Sequence, residues 1–169
     1  MLQRIVTDFE EHTMTTPSEI AEFAREHGLT VAVAESLTGG NLAAALSAAP
    51  DSAEWFRGGV VAYSAQVKRE VLGVPDVPVV SEIAARAMAD GVRALTGADV
   101  AVATTGVGGP GAQDGEPAGS VWCAVSTPVA EWAVHNDFAG PPEQVLDQAI
   151  SCALDLAFAG LRKQPAATS

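Results

Sequence analysis

Three short apolar runs constrain this chain most: "LTVAVA" (29–34), "GGVVAYS" (58–64) and "ADVAVATT" (98–105). The first and third are β-rich and almost continuously apolar, which suits strands covered on both faces. The second reads as another strand. Each run is followed by turn residues. After the first comes "AESLTGG" (34–40) and then "NLAAALSAA" (41–49), an Ala/Leu helix stopped by Pro50. After the second, Ser64 caps a predicted helix over 65–72 that Gly73 ends. After the third comes "GVGGPGAQDGEPAG" (106–119), which is too rich in Gly and Pro to be anything but a loop.

The remaining segments complete the frame. Thr16-Pro17-Ser18-Glu19 is a capping box with Pro at the first helical position, and Gly28 marks the end of that helix. Ser81 caps a long helix, "EIAARAMADGVRAL", for which Ile83, Ala87 and Val92 are the expected core face. "SVWCAVST" and "EWAVHNDF" read as two strands joined by a hairpin across 127–130. A last helix runs from Pro141 to about Lys163, with Val145, Ile150, Leu154 and Phe158 inward. The pattern predicts an α/β fold, a mixed, mostly parallel sheet with helices on both faces. It divides the chain into a lead-in (1–14, read as a loose segment or short helix), one domain (15–163) and a tail (164–169). In such folds ligands sit at the carboxyl ends of the strands. The loops at 35–40, 63–68 and 105–119 are therefore expected to share one end.

Composition bounds the function. Apolar residues make up 48% of the chain, a globular content, and the net charge is −12. That charge argues against a nucleic-acid partner and against an anionic membrane surface, since both reward Lys and Arg. Its plain reading is solubility. The opening "MLQRIVTDFEEHTM" has no long apolar core, so no secretory signal is expected, and no run is long enough to span a membrane. Cys123 and Cys152 make no CxxC and read as buried free thiols of a reducing cytoplasm. His12, His27 and His135 have no metal-ligand spacing, so no zinc site is expected; as a separate expectation, the chain takes no metal and no cofactor. A Ser–His–Asp arrangement is not expected either, because no histidine is predicted near the strand ends beside these loops.

Three stretches carry candidate chemistry. In "AESLTGG", glycines between a strand and a helix let the backbone approach a ligand, and the helix N-terminus suits an anion. Ser36 or Thr38 equally serves as a cap for the helix at 41. In "VVAYSAQVK", Lys68 is one of two lysines in a chain with 21 acids. Just past a strand end and partly desolvated, it would have a lowered pKa and take a serine proton, with Tyr63 relaying it or donating to an oxyanion. Otherwise Lys68 is a solvated lysine and Tyr63 a core-edge ring. "GVGGPG" (106–111) matches GxGxxG, but Pro110 and the "AQDGEPAG" after it do not open a helix, so the dinucleotide fingerprint is rejected. It reads as a mobile loop over a pocket, or as plain connector.

With those stretches together, the chain resembles the C-terminal domain of the competence-damage protein CinA, also found alone as nicotinamide-nucleotide amidohydrolase. The matching pieces are "AESLTGG", "GGVVAYSAQVKREVLGV", "VSEIAARAMADGVRALTGADVAVATTGVGGPG", "PAGSVW" and "FAG", spread over about residues 17–160. The resemblance implies a three-layer α/β/α sandwich, an amidase deamidating nicotinamide mononucleotide, a small-molecule nucleotide ligand and a homo-oligomer. It implies Ser36 as nucleophile with Lys68 and Tyr63 as its partners. Glu35, Thr38, Gly39, Gly40, Thr105, Gly106 and Gly109 are the implied substrate-binding positions.

The chain departs from the pattern at several places. Leu37 replaces a Cys, Ala65-Gln66 an Asn-Glu pair, and Glu116 a Lys. Gly140-Pro141-Pro142 and Leu146 stand where the family has Gly-Asp-Arg and a further Arg. A non-catalytic nucleotide-binding or regulatory module is therefore the alternative to the amidase.

Overall fold

The computed structural model describes residues 14–167, so nearly all of the lead-in and the last two residues of the tail lie outside the described residues. Eleven elements succeed one another along this span: α1 (Pro17–His27), β1 (Val31–Glu35), α2 (Asn41–Ser47), α3 (Ser52–Trp55), β2 (Phe56–Val61), α4 (Ala65–Leu72), α5 (Glu82–Thr96), β3 (Val100–Gly106), β4 (Ser120–Ser126), β5 (Glu131–Asp137) and α6 (Pro142–Arg162). The strands form one sheet in the order β2-β1-β3-β4-β5. β1 pairs in parallel with β2 and β3, whereas β4 is antiparallel to both β3 and β5. Only β4 therefore runs against the others, and the mixed, mostly parallel sheet is as expected.

Side-chain alternation along the strands divides the core into two layers. Val31, Val33, Val100 and Val102 face one side, where α1, α2 and α6 cover them with Ile20, Leu42, Leu46, Leu156 and Leu161. Ala32, Ala34, Ala101 and Ala103 face the other, where α4 and α5 contribute Leu72, Met88 and Val92. The result is an α/β/α sandwich. Alanine on the second face leaves room for α5 to lie close to the sheet. α4 and α5 are pressed together in turn: a methyl at Gly91 would overlap the Leu72 backbone carbonyl.

Local signals hold at most element ends. Thr16 and Glu19 form the reciprocal capping box of α1. Ser64 accepts from the Val67 amide and Ser81 from the Ala84 amide. Three expectations need correction. Ile83 is 57% exposed, and α5 instead buries Ala84, Ala85, Met88, Ala89 and Val92, because the alanines face the tight side of the helix. The second apolar run begins two residues early, after the unforeseen one-turn helix α3, and is an edge strand with alternating exposure. Cys123 is buried but Cys152 is only half-buried, though both are free thiols. Among the described residues no helix is long and apolar enough to cross a membrane.

Candidate active site

The loops after β1, β2 and β3 do meet at one end of the sheet. They line a cavity of about 780 Å³ whose walls include Ser36, Leu37, Tyr63, Lys68, Thr105, Gly106 and Gly109. Its position results from the connections. α2 leaves β1 toward the valine face, and α4 leaves the neighbouring β2 toward the alanine face. Two helices diverging from adjacent parallel strands open a crevice at the carboxyl edge.

Alternation also decides which side chain enters it. Val31 and Val33 point to the α2 side, and so does Glu35, two residues on. Ser36 continues the pairing, its amide donating to the Thr104 carbonyl at 3.0 Å, and its hydroxyl falls on the α4 side. There the Lys68 ammonium nitrogen, Nζ, lies 2.9 Å from Ser36 Oγ. A second bond from Nζ reaches the Tyr63 backbone carbonyl at 3.3 Å. Lys68 is 2% exposed and Ser36 8%. Burial holds the lysine pKa below its ordinary value, because the charged form loses water that nothing nearby replaces with a carboxylate. The site therefore sets a serine hydroxyl against an amine whose charged form is penalised.

The turn between β1 and α2 is built to present Ser36. Gly39 and Gly40 have positive φ, which brings the chain back sharply into the helix. Neither Ser36 nor Thr38 caps α2. The cap is Glu35, fully buried, whose two carboxylate oxygens accept from the Leu42 and Ala43 amides at 2.9 and 3.0 Å. Thr38 is also buried, its hydroxyl 2.8 Å from that of Thr104. Thr105 donates to the Val79 carbonyl at 2.6 Å. Glu35, Thr38 and Thr105 were implied as substrate-binding groups, yet their polar atoms are occupied within the protein and hold the turn and the strand end in place. The Leu37 and Thr38 amides, by contrast, find no acceptor among the described residues.

Tyr63 also differs from expectation. Its side chain is 72% exposed at the rim of the cavity, and its contact with Lys68 runs through the backbone carbonyl rather than the phenol. Around the rim are Arg69 on α4 and Val77 to Val80 after it, which sequence reasoning did not select, together with Gln113 and Asp114 on the glycine loop and the departing positions Pro142 and Leu146 on α6. The glycine loop leads into antiparallel β4, not into a helix, so no phosphate cradle forms there. One serine–histidine contact does occur beside it, without forming a triad. Ser120 Oγ lies 2.9 Å from His135 Nε2, and Asp137 approaches that same nitrogen at 3.7 Å. Serine and acid on one ring nitrogen cannot relay a proton as a triad does, and Ser120 is buried.

The profile of the CinA C-terminal domain matches residues 13–161. A nicotinamide-nucleotide amidohydrolase of Pseudomonas putida is 37% identical over 147 residues, 83% of this chain and 92% of that protein. A CinA-like protein of Desulfotalea psychrophila is 40% identical over 137 residues, 78% of this chain but 33% of its own length. The chain likewise spans about a third of several other curated relatives it matches, 35% of one from Desulforamulus reducens. Among solved structures, a CinA superfamily protein of Klebsiella pneumoniae superposes with a TM-score of 0.83 at 37% identity, covering 88% of this chain and 96% of that one. One from Escherichia coli gives 0.80 at 36% identity, covering 86% and 90%. With the family profile spanning nearly all of the described residues and solved members sharing the architecture, the chain belongs to the CinA C-terminal domain family.

Proposed function

We propose that this domain is a serine amidohydrolase that converts nicotinamide mononucleotide to nicotinate mononucleotide and ammonia. The observation that carries the reading is the 2.9 Å contact between Ser36 Oγ and Lys68 Nζ in a cavity otherwise poor in titratable groups. The P. putida relative supplies the substrate class.

The chemistry proceeds by acyl transfer. Neutral Lys68 accepts the Ser36 proton as Oγ attacks the carboxamide carbon. The oxyanion forms beside the turn, where the free amides of Leu37 and Thr38 can donate to it; one such donor is worth roughly 3–4 kcal/mol. The lysine then returns its proton to the departing nitrogen and ammonia leaves. Water, deprotonated by the same amine, hydrolyses the ester and releases the acid. The Tyr63 carbonyl positions Nζ throughout. No step requires a group beyond the chain and water.

A binding module without turnover is the second reading. Pro142 and Leu146 favour it, since they make the α6 wall of the cavity apolar. Ammonia release from a panel of pyridine nucleotides decides between the two. The amidase reading expects steady turnover that Ser36→Ala removes by at least about a thousandfold. Saturable binding with no ammonia above the Ser36→Ala background would reject it.

A further inference from the structure

Lys68 and Arg69 are the only cations among the described residues lining the cavity. Lys68 is buried and engaged with Ser36 and Tyr63, so it has no reach toward the outer half of a ligand. Arg69 is half exposed, and its Nη2 lies 2.7 Å from Asp76 Oδ1. Asp76 is 92% exposed on the loop whose next residues, Val77 and Pro78, form the cavity wall. An ion pair that open to solvent holds its arginine weakly. The opposite wall offers no cation among the described residues: it consists of Pro142, Leu146 and the glycine loop, which adds Asp114. In a chain of net charge −12, Arg69 is the one exposed cation among the described residues lining this cavity that an anion at its outer part can meet.

We infer that Arg69 is the specificity-determining residue of the site: its guanidinium exchanges Asp76 for the phosphate monoester of the ligand whose carboxamide lies over Ser36. The inference rests on the ligand class given under Proposed function, though not on turnover. A guanidinium fork matches two phosphate oxygens at once, whereas the Asp76 pair has a single close contact. The exchange therefore favours the phosphate. Asp76 acts as a parking partner that keeps the side chain at the rim when no ligand is bound.

The test uses calorimetric binding in the Ser36→Ala background, so that chemistry does not interfere. Nicotinamide mononucleotide and nicotinamide riboside, which differ by the phosphate, are the two probes. The ratio of their affinities should fall by about 10- to 100-fold in Arg69→Ala and by less in Arg69→Lys, which keeps charge but not the fork. Asp76→Asn should raise the ratio. An unchanged ratio in Arg69→Ala, equal loss of both ligands, or a lowered ratio in Asp76→Asn would overturn the inference. A wild-type protein that releases no ammonia yet shows the Arg69-dependent ratio would reject the amidase and leave this assignment standing.

Discussion

Replacing Glu35 separates the two roles that a carboxylate beside Ser36 could have. The side chain is fully buried and makes two charge-assisted bonds, at 2.9 and 3.0 Å, to the first free amides of α2. Glu35→Ala deletes both bonds and leaves two donors without partners. At about 1.5–3 kcal/mol for each bond to a charged group, the loss is roughly 4 kcal/mol. Glu35→Gln keeps the shape and one acceptor but turns an NH₂ toward a backbone N–H, which costs roughly half as much. For a domain of this size each kcal/mol moves the melting temperature by about 2–4 °C. Thermal denaturation followed by circular dichroism should thus show a fall of roughly 8–16 °C for Glu35→Ala and about half of that for Glu35→Gln. Substrate KM should change little in Glu35→Gln, because the carboxylate does not reach the cavity. A Glu35→Gln protein that melts like wild type while its KM rises steeply would refute the cap and return Glu35 to the ligand.

Lys68→Met should abolish ammonia release yet raise thermal stability at neutral pH, because an apolar chain replaces a buried amine whose charged form is penalised; melting curves and the release assay read both effects, and a destabilised variant would count against the burial argument. In the wild type the folded pKa of Lys68 lies below its unfolded value, so between the two the unfolded chain binds more protons and stability rises with pH. Denaturant titrations across alkaline pH should show that slope in the wild type and not in Lys68→Met. Turnover should fall as pH drops below the lowered lysine pKa, and a rate that stays flat on acidification would remove Lys68 as base. Gly91→Ala should cost on the order of 3 kcal/mol, because its methyl has to push α4 away from α5 at the Leu72 carbonyl; a melting point within error of wild type would show that the helices yield there.

Sequence reasoning reached most of the architecture because the signals are local. The capping box at Thr16, the serine caps at Ser64 and Ser81 and the apolar runs each depend on neighbours within a few residues. Ile83 misled because periodicity alone does not reveal that the facing surface is made of Ala32, Ala34, Ala101 and Ala103. Against so flat a layer, helix alanines fit and an isoleucine is pushed outward. Glu35 and Thr38 could not be placed from the motif either, since their partners depend on how α2 and β3 come to lie beside them. Arg69 left no sequence signal at all: it adjoins a lysine in a polar helix, and its contact with Asp76 at the rim depends on how the loop after α4 folds back.

The pairing of Ser36 with Lys68 stems from the direction in which two helices leave the sheet. β1 and β2 are adjacent and parallel, so their carboxyl ends lie side by side. Helices departing from them to the same face would fill that edge with backbone. Because α2 turns to the valine side and α4 to the alanine side, the edge between them stays open. Glu35 then fastens the first helix from below, and the next residue along the strand can only project toward the second. A serine at that position meets whatever the first turn of α4 presents, which here is Lys68, buried and with its pKa lowered by that burial. The Ser36–Lys68 contact is thus a product of the fold's chain path rather than of any one motif, and a serine at position 35 instead of 36 would point at α2 and lie away from Lys68.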